Sequence, residues 1–124
     1  MLKITPGIKK LLEENAIGFS TVDKNGKPHS IAVAYVKVFR DDVIITNTHI
    51  KESIKNIKYN KNVALVVWNK EWEKACIGFE LKGTAKNFTS GKWFEFVKNM
   101  PENKGYGVKS AIVVSVKKIK RLIS

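Results

Sequence analysis

The sequence predicts a mainly β, α+β domain in which six strands, mostly antiparallel, curl into a small barrel with three short helices covering it. Three observations carry that expectation. Apolar runs such as Ile31-Ala32-Val33-Ala34-Tyr35-Val36 and Val63-Ala64-Leu65-Val66-Val67-Trp68 have strand length and no wet side, so each face needs a cover. The links between such runs are mostly short polar turns, and strand and helix do not alternate regularly, which argues against a parallel sheet. Gly78 and Gly83 interrupt the longest strand, where a sheet bends or bulges toward closure.

With 124 residues the chain has enough surface to bury one hydrophobic core and not two, so residues 1–124 are expected as a single domain. Thr5-Pro6-Gly7 opens the first helix: Thr caps, and Pro takes the first helical position, where its missing N–H costs nothing. Ile8, Leu11 and Leu12 form the apolar stripe, and the helix should end near Asn15. Residues 16–22 read as a strand, followed by the turn Asp23-Lys24-Asn25-Gly26-Lys27, whose Asn-Gly pair supplies the positive φ of a tight reversal. Residues 29–39 read as one long strand, Arg40-Asp41-Asp42 turns the chain, and residues 43–46 return.

A second helix places Ile50, Ile54 and Ile57 on one face, and residues 62–68 are the next strand. After a loop over 69–74, residues 75–88 read as a long strand with one wet face, since Phe79, Leu81, Gly83 and Ala85 alternate with Glu80, Lys82, Thr84 and Lys86. Ser90-Gly91-Lys92 starts a third helix with Trp93, Phe96, Val97 and Met100 on one face and Pro101 behind it. A polar loop over 102–107 leads to a last strand at residues 110–116.

The balance of 44% hydrophobic and 27% charged residues is that of a soluble globular protein. No apolar run approaches the ~20 residues of a membrane-spanning helix. The N-terminus goes straight to Pro6 and Lys9-Lys10 without a signal-peptide core, so a cytoplasmic location is expected. Cys76 is alone and has no internal disulfide partner; it is expected as a buried thiol at the start of a strand. Two histidines, His29 and His49, give no zinc-ligand cluster, and neither stands in a nucleophile context, so both are expected to be satisfied or solvated and no metal site is expected. There is no Walker loop and no GxGxxG. A net charge of +12 invites a nucleic-acid reading, but the lysines are spread along nearly every element, and only Lys117-Lys118-Ile119-Lys120-Arg121 is a compact run. Weak, salt-sensitive, non-specific attraction is the expected consequence.

The stretch with chemistry in it is Val43-Ile44-Ile45-Thr46-Asn47-Thr48-His49-Ile50-Lys51-Glu52-Ser53-Ile54-Lys55-Asn56-Ile57, which joins a buried strand to an amphipathic helix through a polar junction. A helix start presents unpaired N–H groups and the positive end of the dipole, a natural seat for phosphate, and Lys51, Ser53 and Lys55 add donors there. The plainer reading is an ordinary helix start capped by Asn47 or Thr48, with solvated lysines.

The order of elements resembles the flavin-binding split barrels related to pyridoxamine 5′-phosphate oxidase, and in length the small FMN-binding proteins among them. The residues that carry the resemblance are Gly18-Phe19-Ser20-Thr21-Val22, then Gly26-Lys27-Pro28-His29 leading into Ile31 and Tyr35, then Ile45-Thr46-Asn47, then Lys51-Glu52-Ser53-Ile54-Lys55-Asn56-Ile57 followed by Asn60-Lys61-Asn62-Val63-Ala64-Leu65. What it implies is a homodimer with two FMN molecules in grooves at the subunit interface. The isoalloxazine ring would lie against the backbone of Ile31, Ala32, Val33 and Ala34. Thr46 and Asn47 would meet the ribityl chain or phosphate, Lys51 and Ser53 the phosphate, Asn56 would tie the loop down, and Trp68 would complete the pocket from the facing subunit.

The chain departs from the pattern of that family at Glu52, an acid where relatives place a Lys before the Thr or Ser, and at Lys61, where the usual Asn-Pro has its Pro. The implied activity is that of an oxidoreductase or electron carrier with an unidentified small substrate or redox partner; no catalytic side chain is assigned, because a flavin supplies the redox chemistry itself. The alternatives are a split barrel holding F420 or haem, and a small basic barrel binding single-stranded nucleic acid through its Trp and Phe residues.

Overall fold

Thr5 accepts the Ile8 N–H at 3.3 Å, and Pro6 stands at the first position of helix α1 (Pro6–Glu14), so this helix begins as its residues dictate. Its Ile8 and Leu12 are buried in the main core. The computed structural model describes residues 2–122, which hold seven strands in one antiparallel sheet. In chain order these are β1 (Ile17–Val22), β2 (Pro28–Val33), β3 (Val36–Phe39), β4 (Asp42–Asn47), helix α2 (Glu52–Tyr59), β5 (Asn62–Trp68), β6 (Gly78–Phe88), helix α3 (Lys92–Lys98), a 3-10 turn (Pro101–Asn103) and β7 (Ser110–Leu122). The order across the sheet is β2-β1-β5-β6-β7-β4-β3. Val33 of one edge strand and Val36 and Val38 of the other belong to a single core with Phe19, Leu65 and Leu81, so the sheet is curled into a half-barrel.

The count of seven corrects the expected six at one place. Residues 29–39 are two strands: β2 pairs with β1, Ile17 opposite Val33, while β3 pairs with β4, Val36 opposite Ile45. The chain crosses from one edge of the sheet to the other at Ala34 and Tyr35, and no continuous run of hydrogen bonds spans the crossing. Two other boundaries move. Strand β6 starts at Gly78 and not at residue 75, because the chain before it is held in a turn in which the N–H groups of Lys74 and Ala75 both donate to the Glu71 carbonyl. Strand β7 runs on to Leu122 because β6 pairs with it as far as Gly78 opposite Leu122.

The bend expected at Gly83 is present as a register shift between Lys82 and Gly83 against β7, where a Cβ on Gly83 would overlap the Ser115 carbonyl oxygen. Gly78, by contrast, pairs in register with Trp68 and Leu122. Cys76 is exposed in the loop before β6, Sγ 3.4 Å from the Trp72 carbonyl, and is not the buried thiol expected. Val97 of helix α3 and Met100 just past its end cover the outer side of β4 and β7, packing on Ile44, Ala111 and Val113. Phe96, expected on that face, is 43% exposed and stands edge-to-face with Trp93. No described helix is long and apolar enough to cross a membrane.

Candidate functional site

Strand β4 delivers Thr46 and Asn47 to the junction as buried, hydrogen-bonded residues. The Thr46 hydroxyl accepts from Asn103 Nδ2 at 3.0 Å, and the same Asn103 nitrogen donates to the Val97 carbonyl at 2.7 Å. Asn47 donates through Nδ2 to Ser110 Oγ at 2.8 Å and accepts the Ile50 N–H on Oδ1 at 2.7 Å. These bonds fix the path of residues 48–51 into α2. In sequence Asn103 looks like the rest of its polar loop; in the structure it is 2% exposed in a segment otherwise largely open to water.

Helix α2 begins at Glu52, later than Asn47 or Thr48 could cap it, and Lys51 at the cap position makes no side-chain bond. Its first turn closes with the Lys55 N–H on the Lys51 carbonyl at 3.1 Å, so the N–H groups of Glu52, Ser53 and Ile54 have no intrahelical acceptor. Ile50 lies before the helix, and Ile54 and Ile57 pack on the core. Ser53 is fully buried, and its hydroxyl has no partner. Asn56 donates to Thr21 Oγ1 at 3.0 Å and ties the helix to β1. Lys51 and Lys55 stand exposed.

Glu52, the acid that departs from the pattern, is held by His29: its Oε2 lies 2.8 Å from His29 Nδ1 on β2. This pair closes a groove of about 400 Å³ between the β1–β2 turn and α2, lined by Asp23, Lys27, His29, Lys55 and Tyr59 among others. A contact between residues on a strand and on a distant helix start leaves no local trace in sequence.

The remaining candidates form a second group. Ile31 and Val33 point to the core side of β2, whereas Ala32 is exposed and Ala34 lies just past the strand end. Ala32 is opposite Gly18, and Gly18 is opposite Val66, so with the 47% exposed Trp68 these residues make an uncovered outer face on β2, β1 and β5. Within one chain, then, Lys51, Ser53 and Asn56 lie at the start of α2 or on it, Asn47 holds its lead-in through Ile50, Thr46 turns instead to Asn103 beside α3, and Trp68 joins none of them; β2 links the groups, with His29 near α2 and Val33 nearer Trp68.

The curled antiparallel half-barrel with its three covering helices is a split-barrel fold. The chain belongs to the pyridoxamine 5′-phosphate oxidase family, whose model matches residues 4–122. It is 26% identical over 131 residues to an uncharacterized protein of Methanocaldococcus jannaschii, covering 100% of this chain and 84% of that one. Its fold is that of HupZ from Group A Streptococcus, with a TM-score of 0.85, 22% identity, and coverage of 96% of this chain and 94% of that chain. An FMN-binding protein from Syntrophomonas wolfei has the same fold at a TM-score of 0.75, with 16% identity over 94% of this chain and 84% of that chain.

Proposed function

We propose that this protein binds FMN as a homodimer and acts as an oxidoreductase or electron carrier. The observation that carries the reading is the start of α2 in a chain of this family: three backbone N–H groups without intrahelical acceptors, flanked by Lys51 and Lys55. A phosphate dianion suits that donor set, because charge-assisted bonds and the helix dipole act in the same direction. The unpartnered Ser53 hydroxyl supplies a further donor if the first turn shifts slightly to admit it. Glu52 does not oppose the anion at full strength, since its carboxylate is engaged by His29.

In this reading Thr46 and Asn47 hold the 48–51 link at the phosphate and ribityl end, and Asn56 anchors the helix to β1. Strand β2 is a sheet edge, so the backbone groups of Ile31, Ala32 and Val33 that face away from β1, continued by Ala34 just past the strand, are free to hydrogen-bond the rim of a planar heterocycle. Bound FMN would supply the electron or hydride transfer; the chain binds it, orients it and limits access of water. The uncovered face of Ala32, Gly18, Val66 and Trp68 supports a second copy as the cover, which would bring the partner's Trp68 toward the flavin.

The test is the spectrum of the purified protein. A yellow sample with a flavin spectrum that releases FMN on denaturation supports the reading; a deazaflavin spectrum, a haem spectrum, or a colourless protein that takes up no FMN overturns it. Sedimentation of the flavin-loaded protein at micromolar concentration checks the dimer, and a monomeric mass contradicts it.

A further inference from the structure

Helix α2 has a groove on each side. Glu52, Lys55, Asn56 and Tyr59 line the one closed by His29, while Ile54, Ile57 and Lys58 face a second groove of about 570 Å³, bounded on its other side by β6 and the start of β7. We infer that this second groove binds a free nucleotide, in a site that shares Asn47 with the proposed flavin site but neither Lys51 nor Lys55. Four lysines line it, Lys58, Lys61, Lys86 and Lys109, the Lys86 ammonium lying 5.4 Å from the Phe88 ring, and no carboxylate lines it. Among the described residues none of the four has an acidic partner: the ion pairs of this chain use Lys37, Lys74, Lys82 and His29. Like charges gathered on a concave, partly apolar surface repel each other and concentrate the field there, and a bound polyanion relieves the first and uses the second.

The floor tells which polyanion. Ile54 is part-exposed between the lysines, with Ile57 and Ala85 buried beneath it at 5% and 4% exposure, an apolar spot suited to the face of a base rather than to bare phosphate. In the wall, the Asn87 carbonyl oxygen is enclosed with no hydrogen-bond donor, although the residue itself is only part-buried. Rotation of that amide toward the groove would offer the oxygen to an amino group on the base. The site volume falls within the ~300–1,000 Å³ of small-molecule pockets. Asn47 and Ser110 contribute at the floor but are bonded to each other at 2.8 Å, so they shape the groove and are not counted as its ligands.

The experiment titrates ATP, adenosine, tripolyphosphate and a single-stranded oligonucleotide into the full chain by calorimetry, and repeats the ATP titration with Lys61→Glu, Lys86→Glu and Lys51→Ala. ATP should bind more tightly than either adenosine or tripolyphosphate, more weakly at higher salt, and about tenfold or more weakly to Lys61→Glu and Lys86→Glu. Both lysines are exposed and away from the core, so these variants should keep the wild-type melting temperature, and FMN affinity should be unchanged in them. Absence of ATP binding, tripolyphosphate binding equal to ATP, tighter binding of the oligonucleotide through the same lysines, or a loss of ATP with Lys51→Ala as large as with Lys61→Glu each overturns the assignment. The last outcome would place the phosphates at the start of α2, whereas failure of the flavin reading alone leaves the lysine dependence of ATP intact.

Discussion

His29 Nδ1 and Glu52 Oε2 stand 2.8 Å apart, joining an edge strand to the first residue of the helix whose start is the proposed phosphate seat. The glutamate favours the free helix by placing an acid at the positive end of the dipole, worth about 0.3–1 kcal/mol at an exposed first turn. The same charge competes with any phosphate for that end. The histidine holds the carboxylate toward β2, so the conflict is eased but not removed.

Glu52→Lys should therefore tighten FMN, with the gain larger at low salt, while the flavin-free protein melts slightly earlier. Flavin titrations at two ionic strengths, with thermal melts of the free protein, check both halves. Abolished FMN binding in this variant would mean that Glu52 or its bond to His29 makes a contact the site requires.

Gly83→Ala should destabilise the protein more than Gly18→Ala. At Gly83 an added Cβ meets the backbone carbonyl of Ser115 within the bulge, and backbone cannot move aside without breaking the β6–β7 ladder. At Gly18 the nearest atom is Cγ1 of Val66 at 2.7 Å, a side chain that can turn. Overpacking usually costs about 1–3 kcal/mol, and Gly83→Ala should lie at or above the top of that range. Urea denaturation of the two variants gives the comparison; equal losses would show that the bulge yields.

Most strands were legible because Val- and Ile-rich runs bounded by turn residues have few other readings, as at Ile17–Val22 and Asn62–Trp68. The break at Ala34 and Tyr35 was not, since both residues continue an apolar run and only the change of pairing partner, from β1 to β4, separates β2 from β3. The site was legible in part for the same reason. Ser53 and Asn56 lie in one helix with Lys51 at its cap, so their spacing keeps them close, but which of them faces inward depends on where that helix begins. The start at Glu52 turns Ser53 to the core and leaves Lys51 outside. His29 opposite Glu52 and Asn103 under Thr46 are long-range pairings, which composition and periodicity do not encode.

Asp41 should anchor the N-terminal segment in a pH-dependent way. Its Oδ1 accepts the N–H groups of Ile4 and Lys3 at 2.9 and 2.8 Å, and these bonds, the one from Ile4 foremost, hold the carboxyl below its ordinary value of 3.8. A depressed folded-state pKa gives stability that is present above the unfolded value and lost as pH falls through the folded one. In Asp41→Ala, protection of the Lys3 and Ile4 amides from hydrogen exchange should drop at neutral pH, and the wild type should approach the variant only in acid, below 3.8. Equal protection in both proteins at neutral pH would contradict the anchor.

Ser53→Ala separates what the hydroxyl does in the free protein from what it does with a ligand. Ser53 is 0% exposed and its Oγ has no partner, and a buried hydroxyl left unpaired costs about 1–3 kcal/mol. Removing it should leave the flavin-free protein as stable as the wild type or more so. If the hydroxyl donates to the FMN phosphate, the variant should at the same time lose FMN affinity by about tenfold while riboflavin, which lacks the phosphate, is bound almost as before. Lys51→Ala is the companion: its side chain is exposed, so stability should hardly change, and its loss of FMN should again exceed its loss of riboflavin. The difference between the two flavins is the informative quantity, because a variant that merely loosens the helix weakens both alike. A Ser53→Ala protein that is stabilised and binds FMN as well as the wild type would remove Ser53 from the phosphate site and leave Lys51, Lys55 and the three open N–H groups to hold it.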